Sequence, residues 1–202
     1  MFITIEGIDG CGKSTLVEGL KEIDNACYEI AGGAVDVVFT KEPYKSFPSD
    51  YISELEFCAG IKDATSFFMK DRRLHCEEVI RPALRKNKLV ICDRYMDSTW
   101  AYQYYWQECD IWRLIDGHED LPHPNLTILL DMPVENIVKR KELDSFERTI
   151  DAEMYERIRQ GYLTIAREEP NRVKVIDATQ NKDKVLADTL RYISEYSLKN
   201  IE

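Results

Sequence analysis

The sequence predicts an α/β fold built on one parallel sheet of five strands, with helices on both faces. Three observations carry that expectation. Five short, β-prone runs are spread along the 202 residues, and longer helical stretches separate them. One run, Leu89-Val90-Ile91-Cys92, is apolar at nearly every position, as a strand buried on both faces should be. The first run, Phe2-Ile3-Thr4-Ile5, leads through Glu6 into a glycine-rich loop and then into a helix.

In chain order, the strands are expected at Phe2–Ile5, Val35–Phe39, Leu89–Cys92, Leu126–Leu130 and, most weakly patterned, Arg172–Ile176. Helical stretches are expected over roughly 14–30, 61–86, 96–116, 133–143, 148–168 and 181–198. Pro82 falls inside the second and predicts a kink or break. Pro122 and Pro124 lie in a loop before the fourth strand. No internal repeat, low-complexity tract or long linker divides the chain, which reads as one domain over 1–202, with a stretch dense in charge at 139–148 between two helices. The bland reading of that charged stretch is a solvated junction between two helices.

Residues 7–14, Gly7-Ile8-Asp9-Gly10-Cys11-Gly12-Lys13-Ser14, match G-x-x-x-x-G-K-[ST]. Strand, glycine loop and helix is the context in which this motif binds a nucleoside triphosphate. The backbone N–H groups curl around phosphate, and the helix adds its positive N-terminus. Lys13 reaches the β- and γ-phosphates, and the Ser14 hydroxyl can hold Mg²⁺. The alternative is an ordinary glycine-rich turn between strand and helix.

Composition bounds the partners. A formal charge of −10 argues against a nucleic-acid polymer, which needs a basic face. A mononucleotide needs only a local basic pocket. The six cysteines (Cys11, Cys27, Cys58, Cys76, Cys92, Cys109) show no C-x-x-C pair and no metal-like spacing with histidine, so free thiols in a reducing compartment are expected. Neither a signal peptide nor an apolar run of about 20 residues is evident, which points to a cytoplasmic protein without membrane contact.

In open parallel sheets, ligands gather at the carboxyl ends of the strands. Thr40-Lys41-Glu42-Pro43-Tyr44, Asp93-Arg94-Tyr95 and the segments after Asp131 and Ile176 should meet the loop there. An Asp ending an apolar strand beside such a loop suits the outer shell of a metal. Asp93 is favoured, because Arg94 beside it can grip a phosphate with two parallel hydrogen bonds. Asp131 competes for the role, or caps the helix after Met132-Pro133. A purely structural Asp93–Arg94 ion pair is the dull alternative. Phe68 and Arg72, four apart on a helix, could stack on a base and hydrogen-bond its edge, although a Phe alone is more often core. Tyr102 and Gln103 follow a helix start near Asp97-Ser98. His75, His118 and His123 have no spacing for a metal and receive no role.

With these residues in view, the chain resembles the thymidylate kinase family from Phe2 to about Asp177. Phe2 to Thr15 is similar to the family's F-I-x-x-E-G-x-D-G-x-G-K-S-T opening. Phe68-x-x-Asp71-Arg72-x-x-His75 with Glu78–Leu84 resembles its base-binding helix. Asp93-Arg94-Tyr95-x-x-Ser98-x-x-Ala101-Tyr102-Gln103 is the most diagnostic string. Leu130-Asp131, Lys139-Arg140, Phe146-Glu147 and Arg159-x-x-Tyr162-Leu163 resemble the lid and the helix after it.

The resemblance implies a P-loop nucleoside monophosphate kinase fold and transfer of the γ-phosphoryl group of Mg-ATP to dTMP. It implies that Gly7, Ile8, Asp9, Gly10, Cys11, Gly12, Lys13, Ser14 and Thr15 bind ATP, with Arg140 against adenine and residues near Ala178-Thr179 on its other side. Phe68 would stack on thymine, Arg72 would meet its carbonyl edge, and Ser98, Thr99 and Gln103 would complete base recognition. Tyr102 would disfavour a 2′-hydroxyl. Asp9 would serve the 3′-hydroxyl or the metal. Glu42 and Pro43 would border the monophosphate pocket, with Arg94 on the 5′-phosphate. Ser14 and Asp93 would hold Mg²⁺, the latter through water, and a homodimer is implied.

The chain departs from the family's pattern in two places. Glu42-Pro43 continues as Tyr44-Lys45-Ser46 rather than Gly-Gly-Thr. An arginine expected either at Gly10 or at Ser145 is at neither, so Arg148, Arg140, Lys139 or Lys141 would supply the transition-state charge. The remaining alternatives are a kinase for dUMP or a 5-modified dUMP, a deoxynucleoside kinase, and a nucleotide-binding protein without catalysis.

Overall fold

A computed structural model describes residues 1–23, 29–30, 33–34, 36–45, 61–106, 119–143 and 152–199. Five parallel strands form the main sheet: β1 (Phe2–Glu6), β4 (Val37–Lys41), β5 (Leu89–Asp93), β6 (Leu126–Asp131) and β7 (Val173–Asp177), in the order β4-β5-β1-β6-β7. The most apolar strands are therefore the central ones. Every residue of β1 is buried, as are Leu89 to Cys92 of β5. Alternate residues of β5 serve different faces: Leu89 and Ile91 join one core cluster, Val90 and Cys92 another. Each fully buried Ile or Leu there contributes about 1.5–3 kcal/mol.

α1 (Lys13–Glu22) packs Leu16, Val17 and Leu20 into the larger cluster, beside Val185 and Ile193 of α7 (Lys182–Lys199). α2 (Ile61–His75) runs through a π-helical stretch (Cys76–Ile80) into α3 (Arg81–Arg85), and Cys76, Ile80 and Ala83 supply the second cluster. α4 (Met96–Thr99) continues as a second π-helical stretch (Trp100–Trp106). α5 (Val134–Leu143) and α6 (Ala152–Glu168) complete the set. Among the described residues, no helix is long and apolar enough to cross a membrane.

The expected five-stranded parallel sheet is present, and three local expectations are corrected. The helix expected over 14–30 ends at Glu22, where Ile23 turns extended. Beyond it, β2 (Glu29–Ile30) and β3 (Gly33–Ala34) pair as a small antiparallel ladder, and β2 lies against α7. The strand expected at 35–39 is shifted to Val37–Lys41, because its partner in register is Leu89–Asp93. Pro82 does not end the helical run. The preceding turn widens, with Arg81 N–H donating to the Cys76 carbonyl five residues back, and the helix continues through proline. Residues 144–148 of the lid expected at about 139–148, and residues 107–116 of the helix expected over 96–116, lie outside the described residues.

Candidate active site

The glycine loop joins the carboxyl end of β1 to α1. Gly7 has φ 140°, and a Cβ there would sit 2.6 Å from the Leu130 carbonyl oxygen and 2.8 Å from Cys11 Sγ, so only glycine fits. Gly10 has φ 86°, and a Cβ there would meet Ile137 of α5 at 3.2 Å. No side chain caps the first turn of α1, which leaves that turn's N–H groups aimed toward an anion. Lys13 is buried, and its ammonium donates to the carbonyls of Gly7 at 2.9 Å and Ile8 at 3.0 Å. Burial lowers its pKa, with the nearby Arg94 charge acting in the same direction.

Arg94 follows β5 with φ 67°, a left-handed backbone that costs an ordinary residue on the order of 1 kcal/mol. Its N–H is held by the Ile5 carbonyl at 3.0 Å, and that conformation turns the guanidinium back over the loop. There Nη2 pairs with the carboxylate of Asp9. The Tyr102 hydroxyl donates to the other Asp9 oxygen at 3.1 Å. Burial works against the charged form of Asp9, but Arg94, Lys13 and Tyr102 outweigh it and lower its pKa. The partner of Arg94 is thus Asp9 of the loop, not its neighbour Asp93.

Asp93 is different. Its Oδ1 is buried with no hydrogen-bond partner, and burial raises its pKa against the pull of Lys13 and Arg94. Asp131 is engaged elsewhere, accepting from Arg159 Nε at 2.6 Å and Nη2 at 3.0 Å. Its place as a metal ligand or helix cap is taken by this two-pronged pair between β6 and α6.

Arg72 is 2 % exposed, and Glu42 neutralises it through Nε at 2.8 Å and Nη2 at 2.7 Å. Its Nη1 donates to Thr99 Oγ1 at 2.9 Å, and Nη2 to the Tyr95 carbonyl at 3.0 Å. His75, given no role from sequence, lies wholly buried between Glu42 Oε1 at 3.1 Å and Thr40 Oγ1 at 2.7 Å, under the stacked ring of Tyr44. Asp71 accepts the N–H groups of Tyr44 at 2.6 Å and Lys45 at 2.9 Å, fixing the turn after the cis Glu42-Pro43 bond.

These groups enclose a cavity of about 220 Å³ lined by Asp9, Glu42, Pro43, Phe68, Arg72, Arg94, Tyr95, Ser98, Thr99, Tyr102 and Gln103. All ten acceptor-site candidates from the sequence are on its wall. Tyr95 is added, lying between Arg94 and α4, and Glu6, His75 and Tyr162 stand just behind. Their signal in the sequence was weak, because each acts as a buried polar partner of another side chain. A second cavity, of about 410 Å³, opens beside the glycine loop between α1 and α7, with Gly12, Thr15, Ala178 and Gln180 among its walls. The Arg140 backbone is in α5, but its side chain and all of Arg148 and Ser145 lie outside the described residues.

The family model for thymidylate kinase matches residues 5–189. The chain belongs to the thymidylate kinase family. A relative named thymidylate kinase from Ehrlichia ruminantium (strain Gardel) is 38% identical over 202 residues, covering 96% of this chain and 97% of its own. One of the same name from Kosmotoga olearia is 35% identical over 195 residues, covering 92% and 91%. The crystal structure of thymidylate kinase from Ehrlichia chaffeensis superposes with a TM-score of 0.71 at 32% identity, covering 96% of this chain and 98% of that one. The sheet order, the loop and the cavity are therefore those of a thymidylate kinase family member.

Proposed function

We propose that the two cavities hold two nucleotides end to end, ATP over the glycine loop and dTMP in the smaller cavity. Family membership makes the reaction the transfer of the γ-phosphoryl group of ATP to the 5′-phosphate of dTMP, giving dTDP. The observation that carries this reading is the reach of Arg94 onto Asp9, which joins the acceptor pocket to the donor loop. Phe68 stacks on thymine, Arg72 with Thr99 and Gln103 reads its edge, and Arg94 holds the 5′-phosphate. Ser98 completes the wall. The Tyr102–Asp9 contact supports a role for both at the sugar.

A phosphate acceptor is already ionised near neutral pH, its second pKa being about 6, so no strong base is needed. The work is positioning and charge neutralisation. Lys13 and the loop amides receive the donor phosphates, and Arg94 lines up the acceptor oxygen. The orphaned oxygen of Asp93 fits a hydrated Mg²⁺, whose shell is mostly water and phosphate, and Ser14 stands at the adjoining helix start. Those two residues would hold the ion, which neutralises charge on the transferred group when bound. No cluster of three metal-ligating side chains exists among the described residues, as such a substrate-borne ion requires none.

The transition-state cation is proposed to come from the lid, about 139–148, through Arg148, Arg140, Lys139 or Lys141. The close approach of Gly10 to Ile137 supports this, since a side chain at Gly10 would be crowded. The chain is read as one domain over 1–202. A homodimer is carried over from the family resemblance, and a cytoplasmic setting is supported by the free thiols of Cys11, Cys76 and Cys92.

The test is a panel of nucleoside monophosphates, with thymidine beside them, each supplied with Mg-ATP and scored for product. The expected result is dTDP from dTMP in preference to dUMP and ribonucleotides, and nothing from thymidine. Phosphorylation of thymidine, or no dTMP-dependent ADP release, contradicts the reading.

A further inference from the structure

Glu6 ends β1 immediately before the glycine loop, and it is completely buried. The reaction described above makes no use of it. Burying a carboxylate is costly unless donors surround it, and three donors converge here from two separate parts of the chain. Tyr95 N–H reaches Oε1 at 2.7 Å. Ser98 Oγ at 2.6 Å and the Tyr162 hydroxyl of α6 at 3.1 Å both reach Oε2.

The same two hydroxyls face Arg94. Its Nη1 lies 3.3 Å from Ser98 Oγ and 3.4 Å from the Tyr162 oxygen, and the two oxygens are 2.8 Å apart. Each hydroxyl has one proton. The proton of Ser98 goes to Glu6, and that of Tyr162 goes to Glu6 or to Ser98 at 2.8 Å; either way both oxygens keep lone pairs to accept from the guanidinium. One side of Arg94 is thus fixed by Asp9 and the other by hydroxyls whose polarity Glu6 sets.

We propose that Glu6 is a positioning residue for the acceptor phosphate: by drawing the protons of Ser98 and Tyr162 toward itself, it presents their oxygens to Arg94 and fixes the guanidinium that grips dTMP. The inference rests on the reading of Arg94 as the phosphate-holding residue. It separates a carboxylate from its own amide. A glutamine of the same shape must either aim its NH₂ at the two hydroxyls, leaving one of their protons turned toward Arg94 while the other joins the two oxygens, or aim it at the Tyr95 N–H. Both orientations set donor against donor.

At a pH above 7, where Glu6 is ionised, Glu6→Gln is expected to raise the KM for dTMP about tenfold, with the KM for ATP within about twofold and kcat changed less than KM. Tyr162→Phe, which removes one hydroxyl and keeps the ring, should raise it about threefold. The double variant should be no worse than Glu6→Gln alone, as residues acting in one network do not add. A lower melting temperature with both KM values unchanged would mean that Glu6 only supports the fold, and would overturn the proposal. Independent multiplication of the two effects would overturn it too. If Glu6→Gln does not fold, an unchanged KM for dTMP in folded Tyr162→Phe is decisive against it. Arg94→Lys separates the levels. A raised KM for dTMP there beside an unchanged one in Glu6→Gln removes the role of Glu6 alone, whereas an unchanged KM in Arg94→Lys removes the phosphate reading and this proposal with it.

Discussion

At the scale of single residues, the site concentrates charge where water is scarce. Lys13 is held by two carbonyls of its own loop, and truncating it removes the only side-chain cation of the motif. Lys13→Ala is expected to lower turnover by several orders of magnitude with little change in the unfolding midpoint. Near-normal turnover in a folded variant would contradict its assignment. Glu6 makes a claim about pH. Burial raises its pKa from 4.5 to about 7, helped by Asp97 and opposed by Ser98, Arg94 and the Tyr95 N–H. Arg72 from α2, Cys92 of β5 and Tyr162 from α6 complete its electrostatic surroundings. Between those two values the folded protein keeps a proton that the unfolded chain has released, so stability falls as pH rises. The melting temperature of the wild type minus that of Glu6→Gln should therefore decline from pH 4.5 to about 7 and level off above. A difference flat across that window would contradict it. Lys13, Arg94 and Phe68 were legible in the sequence because motif and spacing mark them. Glu6 and His75 were not, since a buried polar residue acquires its meaning from partners up to 156 positions away.

At the scale of elements, the π-helical stretch after α4, which carries Tyr102 and Gln103 on the wall of the smaller cavity, packs closely against α6. A Cβ at Gly161 would come within 2.7 Å of Tyr105 Cβ. Gly161→Ala is expected to destabilise the fold by about 1–3 kcal/mol, read as a shift in the urea midpoint, because the two elements must separate. An unchanged midpoint would show that they slide apart freely. Elements with strong local signals, such as β1, β5 and β6, were read nearly to the residue. The helix from Lys13 overran because Lys21-Glu22-Ile23 keeps helical propensity, while the β2–β3 ladder draws on its position against α7. The π-helical stretches were invisible to a pattern of 3.6 residues. Yet the widened turn at Cys76–Ile80 is what lets Pro82 remain inside a helix that carries Arg72 and His75.

At the scale of the whole molecule, five separate chain segments converge at the carboxyl ends of one sheet. The walls of the smaller cavity, proposed to take dTMP, were legible because each segment carries a residue type suited to phosphate or base, and because parallel sheets gather their strand ends. The source of the transition-state charge was not legible, since a lid is defined by its closed geometry rather than by spacing. Arg148→Ala is expected to reduce kcat more than dTMP affinity, and unchanged turnover would move the charge to Arg140, Lys139 or Lys141. The central claim is that one cleft holds both nucleotides with their phosphates meeting between Lys13 and Arg94. A crystal structure of the protein with ADP, Mg²⁺ and dTMP tests it most directly. The ADP β-phosphate is expected within the Gly7–Ser14 loop and the dTMP phosphate on the Arg94 guanidinium, with thymine against Phe68. A dTMP phosphate bound away from Arg94, or thymine outside the Phe68–Arg72 wall, would contradict it.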